Sequence, residues 1–151
     1  MAERKSQEMD RRRALGLIGR SSAAVVVGGA TIAATTDDAV RVDLARVRHE
    51  FEAGAESIPL HRLLPDHADA AHLEAARESL RFRVRGIARV LLDRNQSSRE
   101  QLVVAKSAML RTQDEMNRIV DELIAGTATA EAARARALAA FTDYMAVIRT
   151  C

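Results

Sequence analysis

Tryptophan is absent from these 151 residues, and three phenylalanines and one tyrosine are all the aromatics. That shortage, with Ala, Leu, Glu and Arg dominating, favours helices over sheets. Proline occurs only at Pro59 and Pro65, so long stretches carry no helix breaker. One cysteine, Cys151, cannot close an internal disulfide, and no paired-Cys zinc or cluster site can be drawn. A Glu-x-x-His pair of the helical di-iron type is missing, as is a nucleophile elbow. Gly28-Gly29 is followed by neither the later glycine nor the Lys-Ser/Thr pair of a phosphate loop. The common helical metalloenzymes are thereby excluded and no cofactor is implied, whereas a site assembled from scattered residues is not excluded. Lysine occurs only at Lys5 and Lys106 against abundant arginine, a bias expected of a GC-rich genome and not a mark of phosphate recognition.

What is present is concentrated first in residues 1–34. Arg11-Arg12-Arg13 precedes Ala14-Leu15-Gly16-Leu17, and twelve uncharged, mostly apolar residues run from Ala23 to Ala34. A basic start, an apolar middle and a small-residue end are the three parts of an export signal. The apolar run falls short of the about 20 residues needed to cross a bilayer, although extension back to Leu15 gives an uncleaved anchor if Arg20 snorkels. Thr31-Ile32-Ala33 or Ala34 supplies small residues for cleavage. Arg12, Arg13 and Leu15 resemble the twin-arginine class of bacterial export signals, in which two arginines are followed by a variable residue and then a Phe or Leu. The resemblance covers about a fifth of the chain and implies passage of an already folded protein through the export machinery. Arg11 and Gly16 depart from the pattern, so general secretory export is the alternative route. A buried helix of a cytoplasmic domain is the alternative to export.

Charge separates this leader from the remainder. Residues 1–34 hold six basic and three acidic side chains of the chain's 23 and 21, leaving 17 and 18 beyond them. The basic character thus belongs to the leader, and the domain at 35–151 has no overall pull toward nucleic acid. About 117 residues suffice for one modest core.

Periodicity divides that domain into four helices. The first spans about 38–53, capped by Thr36 or Asp37, with Val40, Leu44, Val47 and Phe51 on one face and Gly54 as its stop. An apolar connection through Ile58-Pro59-Leu60 and Leu63-Leu64-Pro65 is expected to lie across a bundle end. The second helix, about 68–94, carries Leu73, Ala76, Leu80, Val84, Ile87 and Leu91 at spacings of three and four. Ser97 and Glu100 match a capping box for a third helix over 98–125, with Leu102, Ala105, Met109, Met116, Val120 and Leu123 facing inward and Thr112 the polar place among them. Gly126 ends it. Thr127 or Thr129 caps a fourth helix to about Arg149, burying Leu138, Phe141, Met145 and Ile148. The expected fold is all-α: an N-terminal signal or anchor helix followed by an antiparallel, up-and-down four-helix bundle. A three-helix core with a loose first helix is also compatible.

Two clusters in the domain have chemical potential. His61, His67 and His72, beside Asp66 and Asp69, offer imidazole and carboxylate ligands suited to zinc, copper or nickel. His67 and His72 are five apart, however, and do not share a helix face, and the two aspartates serve equally as helix caps. Arg77, Arg81, Arg85 and Arg89 recur every four residues, and with Lys106 they offer an anion or acidic-partner surface. Glu74 and Glu78 make an ordinary solvated, ion-paired face the simpler reading. Met109, Met116 and Met145 fall on the buried stripes and read as core filler instead of thioether ligands. Cys151 offers a disulfide-linked homodimer in an oxidising compartment, or else is an idle thiol.

The sequence accordingly points to an exported, extracytoplasmic bundle that binds a protein partner or small ligand, or joins an envelope assembly, without a catalytic motif. The alternatives are a membrane-anchored sensory bundle, held by an uncleaved leader, and a small secreted enzyme with an Arg-lined anion pocket.

Overall fold

Every regular element is helical in the computed structural model, which describes residues 43–93 and 97–151. Expectations resting on Arg12, Arg13, Leu15, the apolar run and Val40 lie outside the described residues. Leu44–Cys151 forms one compact unit. In chain order α1 covers residues 43–53, a 3-10 turn Ala55–Ser57 and a single helical turn α2, Leu60–Leu63, follow, and three long helices complete the unit. These are α3 (Ala70–Asp93), α4 (Arg99–Ile124) and α5 (Ala130–Thr150).

The punctuation of the sequence sets these limits. Gly54 takes φ 103° and Gly126 φ 70°, left-handed conformations that cost glycine little and end α1 and α4 cleanly. Asp69 accepts the amide of His72 and so caps α3, while Thr129 accepts the amide of Ala132 at the start of α5. The capping box of α4 lies one residue later than the sequence pattern indicates. Ser98 accepts the amide of Gln101, and the Gln101 side chain accepts the amide of Ser98, whereas Ser97 stays outside the helix and Glu100 is exposed. Glutamine serves this role as well as glutamate, because only its carbonyl oxygen is used.

Consecutive long helices pack side by side. Arg77 of α3 reaches Asp121 and the carbonyl of Asn117 near the end of α4, and Arg136 near the start of α5 reaches Glu115 and Glu122. The short link between α3 and α4 and these pairings make each neighbour antiparallel. Tyr144 donates to the carbonyl of Val84 at 2.8 Å, fixing α5 against α3. Its fully buried hydroxyl ionises far above the ordinary range because burial disfavours the phenolate, with the charge of Cys151 a second cause.

The six apolar positions expected to face inward on α3 are all buried. Leu80, Ile87, Met116, Phe141 and Ile148 are sealed from water, each contributing roughly 2 kcal/mol by burial. On α4 the inward stripe is instead Ala105, Ala108, Thr112, Met116, Ile119 and Val120. Leu102 is exposed, and Met109 and Leu123 are half-buried. The reason lies in coverage: α4 meets α3 and α5, while the described contacts of α1 are with those same two helices, so α4 buries a narrower stripe. Thr112 stays inside by donating to the carbonyl of Ala108. On α5, Leu138 is half-buried and the small residues Ala133 and Ala137 take the inner positions beside Phe141 and Tyr144.

α1 runs antiparallel to α3, since Val47 sits over Gly86 and Glu50 meets Arg83. A Cβ on Gly86 would stand 2.8 Å from Val47 Cγ1, so the missing side chain is what lets the helices approach. The connection after α1 first follows a groove, and its later residues Pro65, Asp66 and Ala68 reach the end of the bundle where α4 stops and α5 starts. Its 3-10 turn packs on α5 and α2 packs on both α3 and α5, with Ile58, Leu60 and Leu64 buried along that groove. Two arginines of α5 hold its ends: Arg149 donates to the carbonyl of Phe51 at 2.6 Å and lies over its ring, and Arg134 donates to the carbonyl of Leu64 at 2.8 Å.

Candidate functional site

The arginines of α3 recur every four residues, yet the structure divides them. Arg77 is largely enclosed and spent on Glu74, Asp121 and the Asn117 carbonyl. The hydrogen bond to Glu74, then that to Asp121, shifts its guanidinium further toward the charged form. Arg81 pairs with Glu78 at 3.0 Å. Arg85 approaches Glu78 at 4.0 Å and is exposed, as are Arg89 and Lys106. The ridge is therefore a clip at its N-terminal end and a solvated basic surface at its C-terminal end.

The three histidines do not converge. Among the described residues no group of three His, Cys, Asp or Glu side chains is placed to hold a metal ion. His61 and His67 are exposed, His72 places Nε2 3.2 Å from the Leu63 carbonyl, and Asp66 is taken by Arg134 at 2.9 Å. That hydrogen bond, reinforced by the charge of Arg134, lowers the Asp66 pKa. Met116 and Met145 are core, Met109 packs on it, and Cys151 is a free, half-buried thiol against the same core.

Two shallow cavities open on the bundle. One of about 420 Å³ lies where α3 and α5 begin and α4 ends, between Leu73, Leu123, Thr129, Glu131 and Asp66. The other, about 300 Å³, follows the α4–α5 groove past Arg111, Thr112, Glu115, Asp143 and Tyr144. Several of their polar groups are committed: Asp66 to Arg134, Thr112 to Ala108, Tyr144 to Val84, and Glu115 to Arg118 and Arg136, while Arg111, Glu131 and Asp143 are exposed at the rims. Such groups are structural ties and do not form a convergent set around a reacting atom.

Two features were missed by sequence reasoning. The first is a buried ion pair between Glu50 of α1 and Arg83 of α3, with side chains 7% and 10% exposed. Arg83 Nη2 donates to Glu50 Oε1 at 3.2 Å, and Nε lies 3.0 Å from Oε2, in ion-pair range but bent away from hydrogen-bond alignment. Its signal was legible: Arg83 stands within the apolar stripe between Leu80 and Ile87, and Glu50 abuts Phe51. The second is a set of exposed large apolar side chains: Leu92, Leu102, Val103, Val104 and Leu110, with Ile124 apart from them. Leu92, Leu102, Val103 and Val104 lie within six residues of the helix ends that face the α3–α4 link, Leu110 lies near the middle of α4, and Val103, Lys106 and Leu110 share one outer face of α4 by their spacing of three and four.

Charge follows the same division. Apart from the buried Arg83, residues 82–93 of α3 and 99–111 of α4, the half nearer the turn, hold five basic and two acidic side chains. Residues 70–81 and 112–124, the far half, hold three basic and six acidic ones. No described helix is long and apolar enough to cross a membrane. No family model, curated protein or solved structure matches the chain.

Proposed function

We propose that the chain is an exported binding module of the bacterial cell envelope: a signal or anchor over residues 1–34, followed by an antiparallel four-helix bundle whose working surface is a helix face. The observation that carries this reading is the exposure of Leu92, Leu102, Val103, Val104 and Leu110 on the halves of α3 and α4 nearer their link. Exposed apolar residues scattered singly need no explanation, but a group rimmed by charge marks an interaction site. The leader supports the location, through Arg12, Arg13, Leu15 and the apolar run to Ala34.

The test is the intact mass of the native protein recovered from cytosolic, membrane and extracytoplasmic fractions. A species beginning near Ala34 or Thr35 outside the cytoplasm, or the full chain held at the membrane, is the expected result. Full-length protein confined to the cytosol overturns the reading. The membrane-bound outcome has a specific observation behind it. α1 is antiparallel to α3 and Arg48 pairs with Asp93, so the chain enters the bundle at the same end that carries the exposed apolar group.

A further inference from the structure

We infer that the α3–α4 turn end of the bundle docks on an anionic lipid surface. The inference rests on the envelope reading above and names the partner of that surface. Val103 is 60% exposed and Leu92 54%, and Arg85, Arg89, Arg99 and Lys106 are exposed around them. Apolar side chains favour leaving water for the acyl boundary, while guanidinium and ammonium groups favour phosphate at the headgroup level. One bilayer leaflet with anionic lipids supplies both environments at the depth separation of a single helix face.

Other occupants fit less well. A second copy presenting the same face would set two basic surfaces against each other, a repulsive arrangement in an isologous contact. A single-stranded nucleic acid would call for exposed aromatic rings for stacking, whereas the aromatics of the described unit, Phe51, Phe82, Tyr144 and Phe141, are buried or half-buried.

The experiment uses the full chain in a Cys151→Ser background, with a polarity-sensitive fluorophore on Ser107→Cys at the turn end or on Ala125→Cys at the far end. Both positions are exposed. On vesicles of equal parts phosphatidylglycerol and phosphatidylcholine, the label at 107 is expected to shift to the blue while the label at 125 does not. Neither is expected to shift on phosphatidylcholine alone. Arg89→Gln/Lys106→Gln should weaken vesicle binding of the 107-labelled protein roughly tenfold or more. Val103→Ser/Leu110→Ser should abolish the 107 shift at unchanged helicity and melting temperature.

Co-flotation with neither label shifted means that the leader alone binds, which overturns the docking inference and leaves the envelope reading standing. Equal shifts at 107 and 125 also overturn it. A shift at 107 that rises with protein concentration without vesicles identifies a second copy as the occupant, and one produced only by an envelope protein extract identifies a protein. Either result overturns the lipid assignment. Exclusive recovery of the intact chain from the cytosol removes the envelope reading itself.

Discussion

The groove between α3 and α5 is filled and the outer face of α3 and α4 is bare, although arginines line both. In the groove, Arg83, Arg134 and Arg149 each reach a partner on another element: Glu50, the Leu64 carbonyl with Asp66, and the Phe51 carbonyl. On the outer face Arg85, Arg89 and Lys106 point into solvent beside exposed leucine and valine. Spacing along one helix therefore does not assign an arginine its task. The charge and carbonyls of the neighbouring element do, and a guanidinium with five donors serves either as a tie inside or as a contact outside.

The sharpest way to break this contrast is to remove one partner of the enclosed pair. Glu50→Ala leaves Arg83 charged and largely shut off from water, a defect that costs about 3 kcal/mol or more. Arg89→Ala, on the outer face, should fall within about 0.5 kcal/mol of the parent. Urea unfolding of both variants checks the difference, and equal effects would show that the groove pair is as solvated as the ridge. The double variant Glu50→Leu/Arg83→Met should recover most of the loss, since apolar replacement of a buried ion pair is often neutral or stabilising.

The next effect in size concerns the ties at the ends of the connection. Arg134→Ala removes the donor to Leu64 and the partner of Asp66, and a loss of about 2 kcal/mol is expected from charged hydrogen bonds in a side chain only 13% exposed. Proteolysis within residues 55–64 should accelerate more than elsewhere, because Arg134 fastens that segment to α5. Gly86→Ala follows at a net loss of about 1 kcal/mol: overpacking against the stiff Val47 exceeds the gain in helix propensity. Val47→Ala added to Gly86→Ala should show favourable coupling in a double-mutant cycle. Additive losses would mean that α1 shifts freely on α3, and the filled groove would then be less specific than its packing indicates.

How much of this arrangement could be read from the sequence depended on whether one helix sufficed to reveal it. Gly54, Asp69, Thr129 and Gly126 act within a few residues of themselves, and the limits of α3, α4 and α5 followed from them closely. The stripe of α3 was legible because that helix is covered by α1, α4 and α5, so its whole apolar face is used. Leu102 was misplaced for the opposite reason: its spacing fits a core position, but no described element covers that edge of α4. The arginine ridge looked uniform because its distinguishing partners, Asp121 and Asn117, lie more than 30 positions away in α4. The exposed apolar group was hidden in the same way, since Leu92 and Val103 come to the same end only after α3 and α4 fold back.

The smallest expected effect isolates the one exposed carboxylate bound by a groove arginine. Asp66 has its pKa lowered from the usual 3.8 by the hydrogen bond and charge of Arg134. A carboxyl whose folded pKa lies below its unfolded value stabilises the fold above the unfolded pKa, and that contribution is lost as pH falls through the folded value. The loss on the acid side belongs to protonation of Asp66. Asp66→Asn should therefore leave stability less dependent on pH below about 4 than in the parent, with little change in slope between pH 5 and 8. Asp143 is an exposed carboxylate of α5 remote from Arg134, and Asp143→Asn serves as the comparison. If thermal melts between pH 2.5 and 5 show the same acid slope for Asp66→Asn and the parent, the Arg134 bond to Asp66 carries no stability. The hold of α5 on the connection then rests on the Leu64 carbonyl, which no change of pH in that range can titrate.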